Sequence, residues 1–211
     1  MHKLTSILIL LFFVLSLNAQ YQGYTLLTNT AKFKEQFAIA AKKNNSIKSD
    51  FTQEKNLSML SEKIVSKGKF WFKKDNLVRL EYTQPYQYLM IINKNNVYIK
   101  DGQKENKIST GSNKIFKQIN KITVESVQGT VLDNNDFSSR IFENKSSYLV
   151  ELIPVAKGIK DFFSKITIVI DKNELTVTNI EMIEKSGDNT LLHFYNKELN
   201  GNIPDAIFFI K

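Results

Sequence analysis

The chain of 211 residues has no cysteine, two histidines, three prolines, one tryptophan and eight glycines, none adjacent to another. Each shortage removes a class of function. Without cysteine there is no disulfide framework, and no lipidated cysteine at a processed N-terminus. His2 lies in the first residues, leaving His193 between Leu192 and Phe194 on a predicted strand. Zinc or copper sites of the usual Cys/His composition are therefore out of reach. A lone strand histidine reads first as structural. Isolated glycines make no phosphate-cradling loop, and no G-x-S-x-G elbow occurs. No repeat or low-complexity tract marks a linker.

Two carboxylate pairs come closest to a catalytic constellation: Asp133 with Asp136 in a polar loop, and Glu181 with Glu184 at a strand end. Sugar hydrolysis needs only two carboxylates. No cluster of substrate-binding aromatics flanks either pair, so catalysis is not expected.

Met1-His2-Lys3 is a short basic start, Leu4 to Leu17 is almost wholly apolar, and Ala19 follows as a small residue. This pattern reads as a secretory signal peptide over 1–19, cut after Ala19. Its apolar run is shorter than the ~20 residues of a membrane-spanning helix. Residues 20–211 then read as a single exported domain. The expected location is the periplasm of a diderm bacterium, with extracellular release the alternative. The net charge of +8 comes from scattered lysines without a block of like charge. In an exported protein that argues for solubility and weak attraction to anionic lipid, and against nucleic acid as partner.

Residues 26–45 carry Leu26, Phe33, Phe37 and Ala40/Ala41 at helical spacing, with lysines mostly elsewhere. The pattern predicts an amphipathic helix whose apolar stripe needs a partner surface. The period then changes to two. Phe70 and Phe72 share a face opposite Lys69, Trp71 and Lys73, and Val78, Leu80 and Tyr82 oppose Arg79 and Glu81. The residues on the second face are expected to meet water, which leaves Trp71 out of place. Residues 47–101 read as an antiparallel meander. A second helix is predicted over 112–128, carrying Ile115, Phe116, Ile119 and Ile122, followed by strands from Tyr148 onward and ending with Ala206 to Ile210. The predicted fold class is α+β, mostly β: a strongly curved antiparallel sheet of about ten strands, with helices over its concave apolar face.

Fifteen Phe and eight Tyr exceed what this pattern alone requires. Phe70-Trp71-Phe72, Leu89 to Ile92, Ile166 to Ile170 and Ile207 to Ile210 are apolar on both faces. They make either an ordinary core or an internal cavity sized for acyl chains, and composition does not separate the two.

Three stretches, in order, resemble one family. They are "SDFTQ" (49–53), "GKFWFKKDNLVRLEYTQP" (68–85) followed by "YLMIINKNNVYIKD" (88–101), and "NKELNGNIPDAIFFI" (196–210). Together they resemble the LolA-like periplasmic lipoprotein carriers. The resemblance implies a half-open barrel closed by helices, acting as a monomer with no catalytic residue and no cofactor. It implies acylated lipoprotein as cargo, an inner-membrane ABC exporter as donor and an outer-membrane acceptor. The family's functionally sensitive basic position falls on Lys74, where arginine is usual. Asp75 stands where the family has proline, and Leu80 where it has tryptophan.

Bringing an acyl chain of ~15 methylenes into water costs about 12 kcal/mol. Phe51, Phe70, Phe72, Val78, Leu80, Tyr82, Ile91 and Ile99 would line the shielding cavity. Phe33 and Phe37, with Ile115, Phe116 and Ile119, would form a helical lid that fills the void when shut. Three other readings stay open: a carrier or sensor of another lipid, such as an aryl-lipid or polyene pigment precursor; a periplasmic hydrolase joining His193 to a carboxylate; and a structural β protein with a filled interior.

Overall fold

The computed structural model describes residues 21–59, 61–94, 96–102, 104–106 and 114–209. The signal-peptide segment 1–19 lies outside them. In chain order the elements are β1 (Thr25–Leu26), α1 (Thr30–Lys43), β2 (Ser46–Leu57), β3 (Glu62–Lys73), β4 (Leu77–Gln84), β5 (Tyr88–Asn93), β6 (Asn96–Asp101) and β7 (Lys104–Asn106). Then follow α2 (Lys114–Gln128), a 3-10 turn at Val131–Asp133, β8 (Phe137–Glu143), β9 (Ser147–Pro154), α3 (Lys157–Lys160), β10 (Phe163–Asp171), β11 (Val177–Glu184), β12 (Asn189–Leu199) and a 3-10 turn at Asp205–Phe208.

The strands form one twelve-stranded sheet in the order β1-β8-β9-β10-β11-β12-β2-β3-β4-β5-β6-β7. Every pairing is antiparallel. Two meanders, β2–β7 and β8–β12, are joined side by side through β12 and β2. The chain crosses from one far edge to the other by way of α2. The edge strands β1 and β7 do not pair with each other, so the sheet stays open. One apolar cluster nevertheless unites residues of β2–β5 and of β8–β12 with both long helices. A flat sheet of this width could not gather them, so the sheet curls around the helices.

The helices meet where Gly129 ends α2 with φ +74°. The Thr130 N–H donates to the Glu125 carbonyl at 3.0 Å, closing the helix. A Cβ on Gly129 would lie 2.6 Å from the Ala41 methyl, so only glycine lets α1 approach.

The main differences from the predicted elements have local causes. The first helix begins at Thr30, and Thr25–Leu26 instead extends the sheet beside β8. Strand β8 itself was not predicted, because Ser138-Ser139 interrupts its apolar alternation. The predicted strand over Ala206 to Ile210 is a 3-10 turn, Asp205–Phe208. Its neighbour in sequence, β12, already has β11 on one side and β2 on the other, so no edge is free beside it.

Candidate functional site

Three rows of residues run across the concave face from β2 toward β6. Phe51, Gly68, Tyr82 and Tyr88 form one, and Phe194 of β12 extends it. Ser49, Phe70, Leu80, Met90 and Ile99 form the next, and Ile47, Phe72, Val78, Ile92 and Val97 the third. Among the predicted cavity residues, Phe51, Phe70, Phe72, Val78, Leu80, Tyr82 and Ile99 therefore share this face. Ile91 does not: it pairs with Arg79 and belongs to a separate cluster on the opposite face. Tyr88 to Ile92 is apolar at every position, so alternation could not assign its faces. The register does, and Met90 takes the inward place beside Leu80.

Gly68 is what lets the first row close. A Cβ there would fall 2.6 Å from the Phe51 ring and 2.2 Å from the Glu81 carbonyl oxygen. The Phe51 ring occupies that space and meets Tyr82 edge-on at 5.0 Å. The Tyr82 hydroxyl donates to Gln53 Oε1 at 2.7 Å. Burial pushes its ionisation far above the usual tyrosine range, so this polar atom stays neutral in an apolar setting.

From the helices, Phe33 and Phe37 enter the core, each 2% exposed, together with Ile122 and Val124. Phe33 stacks on Phe37 at 5.8 Å and meets the Tyr148 ring of β9 at a tilt, 4.2 Å between centroids. Ile119 packs against the same cluster. Ile115 and Phe116 fall in the first turn of α2, and their side chains lie outside the described residues. Among the described residues, a residual crevice between Phe37, Phe70, Val177 and Phe194 measures about 20 Å³. That is room for about one water molecule. Around this crevice the rings of Phe37, Phe70 and Phe194 leave little free space.

The attachment of α1 is distinctive. No side chain of residues 30–43 forms a hydrogen bond or ion pair among the described residues. Polar anchoring occurs only beyond its ends: the Leu27 N–H donates to the Ile141 carbonyl at 2.8 Å, and the Asn45 N–H to Asn200 Oδ1 at 2.7 Å.

Lys74 lies in the β3–β4 turn, exposed, its ammonium without an acidic partner among the described residues. Its N–H donates to the Asn45 carbonyl, just beyond α1, at 2.9 Å. Two residues on, Asn76 Oδ1 accepts from Gln128 Nε2 at the end of α2 at 3.5 Å. The turn therefore touches the C-terminal ends of both helices. Asp75 and Asn76 have φ of +70° and +59°. Proline is held near −65°, so this backbone excludes the proline usual after the basic position.

The convex face of β3–β6 is not left to water. Residues 202–209 lie across it, and Ile203, Phe208 and Ile207 pack with Leu77, Ile91 and Tyr98. Lys73 Nζ donates to the Ile203 carbonyl at 3.1 Å and pairs with Asp205. The Arg79 guanidinium donates to the Ile207 carbonyl at 3.0 Å, pairs with Glu81 at 2.8 Å and lies 5.7 Å over Trp71. The expectation that Lys73, Arg79 and Glu81 face open water is corrected on this point, and Trp71 acquires its cover. Beside the segment lies a groove of about 660 Å³, bounded by Trp71, Leu89, Tyr98, Pro204, Ile207 and Phe209.

The carboxylate pairs do not assemble. Glu184 is paired with Lys55 on the concave side, whereas Glu181 points outward and accepts from Asn189 at 3.2 Å. Asp136 pairs with Lys121 at 3.4 Å. His193 is exposed and stacks on Tyr195 at 5.7 Å. Among the described residues, no group of three or more His, Cys, Asp or Glu is placed to hold a metal ion, and no helix is long and apolar enough to cross a membrane.

No curated protein matches the chain in sequence. Among solved structures, it is similar to a chain of the Pseudomonas aeruginosa MucA/MucB complex at 10% identity and TM-score 0.52, covering 87% of this chain and 62% of that one. It is similar to an uncharacterized conserved protein from Thermus thermophilus at 10% identity and TM-score 0.50, covering 85% and 93%. A LolA superfamily protein from Nitrosomonas europaea aligns at 10% identity and TM-score 0.45 over 84% of this chain and 97% of that one. At such identities these likenesses concern the fold alone. A sequence family described as outer membrane lipoprotein carrier protein LolA matches residues 42–211, from the end of α1 through the C-terminal segment. With the open curled sheet and its two covering helices, that match places the chain in the LolA family.

Proposed function

We propose that the protein is an exported carrier that shelters acyl chains of lipid-modified proteins between the curled sheet and its helices. It would take them up at the inner membrane from an ABC-type exporter, cross the periplasm and release them to an outer-membrane acceptor. It would work as a monomer without catalytic residues, and residues 1–19 would serve as its export signal.

The observation that carries the reading is the attachment of α1. Phe33 and Phe37 hold it to the core, with no side-chain hydrogen bond or ion pair along its length among the described residues. An acyl chain offers the sheet the same contacts that those rings make, so it can take their place without leaving a buried polar group unsatisfied. The gain offsets the roughly 12 kcal/mol that ~15 methylenes would cost in water. Because the contacts are non-directional, a more apolar acceptor can draw the chain out again. The test is native mass spectrometry with lipid extraction on protein exported to the periplasm. Acylated protein or lipid should copurify with it, and protein that is lipid-free and does not respond to an acyl probe would sink the proposal.

A carrier of a different lipid is the second reading. It is favoured by the turn at Lys74 and Asp75, whose backbone excludes the family's proline. Extraction separates the two: the second reading yields a free lipid without an attached polypeptide.

A further inference from the structure

We propose that the convex groove is a second binding site, for a single-chain anionic amphiphile of the fatty-carboxylate type. This groove is a standing void on the convex face. Its volume of about 660 Å³ suits a small ligand, for which clefts of roughly 300–1,000 Å³ are usual.

Its floor is a single cross-strand row: Lys48, Trp71, Arg79, Ile91 and Tyr98, one residue from each of β2 to β6. At ~4.8 Å between strands such a row runs about 19 Å, its Ile91 and Tyr98 end packed beneath Ile203 and Phe208. Residues 202–209 form the opposite wall, with apolar Ile203, Pro204 and Ile207 turned to it. Phe209, 58% exposed, stands at the rim.

Charge assigns the head group. Lys48 and Arg79 line the groove beside one carboxylate, Glu81. Arg79 is held by Glu81 and by the Ile207 carbonyl. Lys48 is more available: it meets Glu198 at 3.5 Å, with both side chains about half exposed. An exposed pair of that kind holds weakly, so the ammonium can turn to a ligand carboxylate. The chain would then lie against the partly exposed Trp71, Leu89 and Ile207.

Trp71 is the only tryptophan, which gives the groove its own reporter. The experiment titrates the exported protein with 9,10-dibromostearate, whose bromines quench indole on contact. Saturable quenching is expected. The methyl ester of the same acid and the Lys48→Glu variant should each bind about tenfold more weakly. Ala206→Phe, which fills the groove from an exposed position, should abolish quenching with circular dichroism unchanged. Absence of quenching, or quenching that neither the ester, Lys48→Glu nor Ala206→Phe alters, overturns the proposal. Acyl uptake into the concave core leaves Trp71 on the far side of the sheet, so failure here does not touch the carrier reading.

Discussion

The backbone N–H of Lys74 donates to the carbonyl of Asn45 at 2.9 Å, tying the β3–β4 turn to the first residues beyond α1. The charged end of Lys74 remains in solvent while its backbone braces the chain just beyond α1. These roles separate by mutation. Lys74→Ala removes only the charge and should change the unfolding free energy by less than ~0.5 kcal/mol. Asp75→Pro forces a φ of +70° toward −65° and should cost about 2–3 kcal/mol, read from the urea midpoint. Equal losses for the two variants would contradict the assignment.

Gly68→Ala tests the closing of the concave row. The added methyl meets the Phe51 ring and the Glu81 carbonyl oxygen inside contact distance. A loss of about 1–3 kcal/mol is expected. Adding Phe51→Ala should not restore stability, because the Glu81 clash is with backbone. Recovery to wild type in the double variant would show that the ring was the sole obstacle.

Phe37→Ala probes the lid. Removing a ring that is 2% exposed should cost about 3–5 kcal/mol. The space it vacates adjoins Phe70 and Phe194. Uptake of an apolar fluorescent dye should therefore rise even as stability falls. If uptake stays at the wild-type level, the core does not admit apolar ligands beneath α1.

Asp50 sets an acid-side dependence. The Lys69 ammonium at 2.9 Å, and then the Asn196 amide, hold its carboxyl below the usual aspartate range. A depressed folded-state value stabilises above the unfolded value, and the contribution is lost as pH falls through the folded one. The wild type should thus lose stability below about pH 4, and Asp50→Asn should show a shallower acid slope. Urea midpoints from pH 7 to pH 2 measure the difference. Parallel curves would show that the pair contributes nothing.

Arg79→Ala should loosen the C-terminal segment, since the guanidinium holds the Ile207 carbonyl and covers Trp71. Emission from Trp71 should shift to the red and cleavage within 202–209 should quicken. An unchanged spectrum would mean that apolar packing of Phe208 suffices.

Much of this arrangement was legible residue by residue. Phe70 and Phe72, then Val78, Leu80 and Tyr82, alternate with charged neighbours, and the sheet reproduces that division. The amphipathic stripe of Phe33 and Phe37 likewise finds the core. Legibility failed where the pattern has no period. Tyr88 to Ile92 is apolar throughout, so only pairing with β4 shows that Ile91 faces outward and Met90 inward. Trp71 looked misplaced because the cluster it packs against includes Ile203 and Phe208, which are distant in sequence. The turn at Asp205–Phe208 was hidden by an apolar run that suits a strand equally well. Its shape depends on which sheet edges remain free, a property of the whole topology.

The apolar docking of α1 also sets how any opening of it would respond to temperature. A lid latched by ion pairs or hydrogen bonds would be held chiefly by enthalpy. One held by buried rings is held near 25 °C mainly by the entropy of released water, and burying those rings lowers the heat capacity. That grip weakens on cooling and under urea, and tightens with excluded solutes such as sulfate. If the proposed carrier role holds, the segment between Leu27 and Asn45 would be a cold-sensitive clasp, loosened by an apolar surrounding.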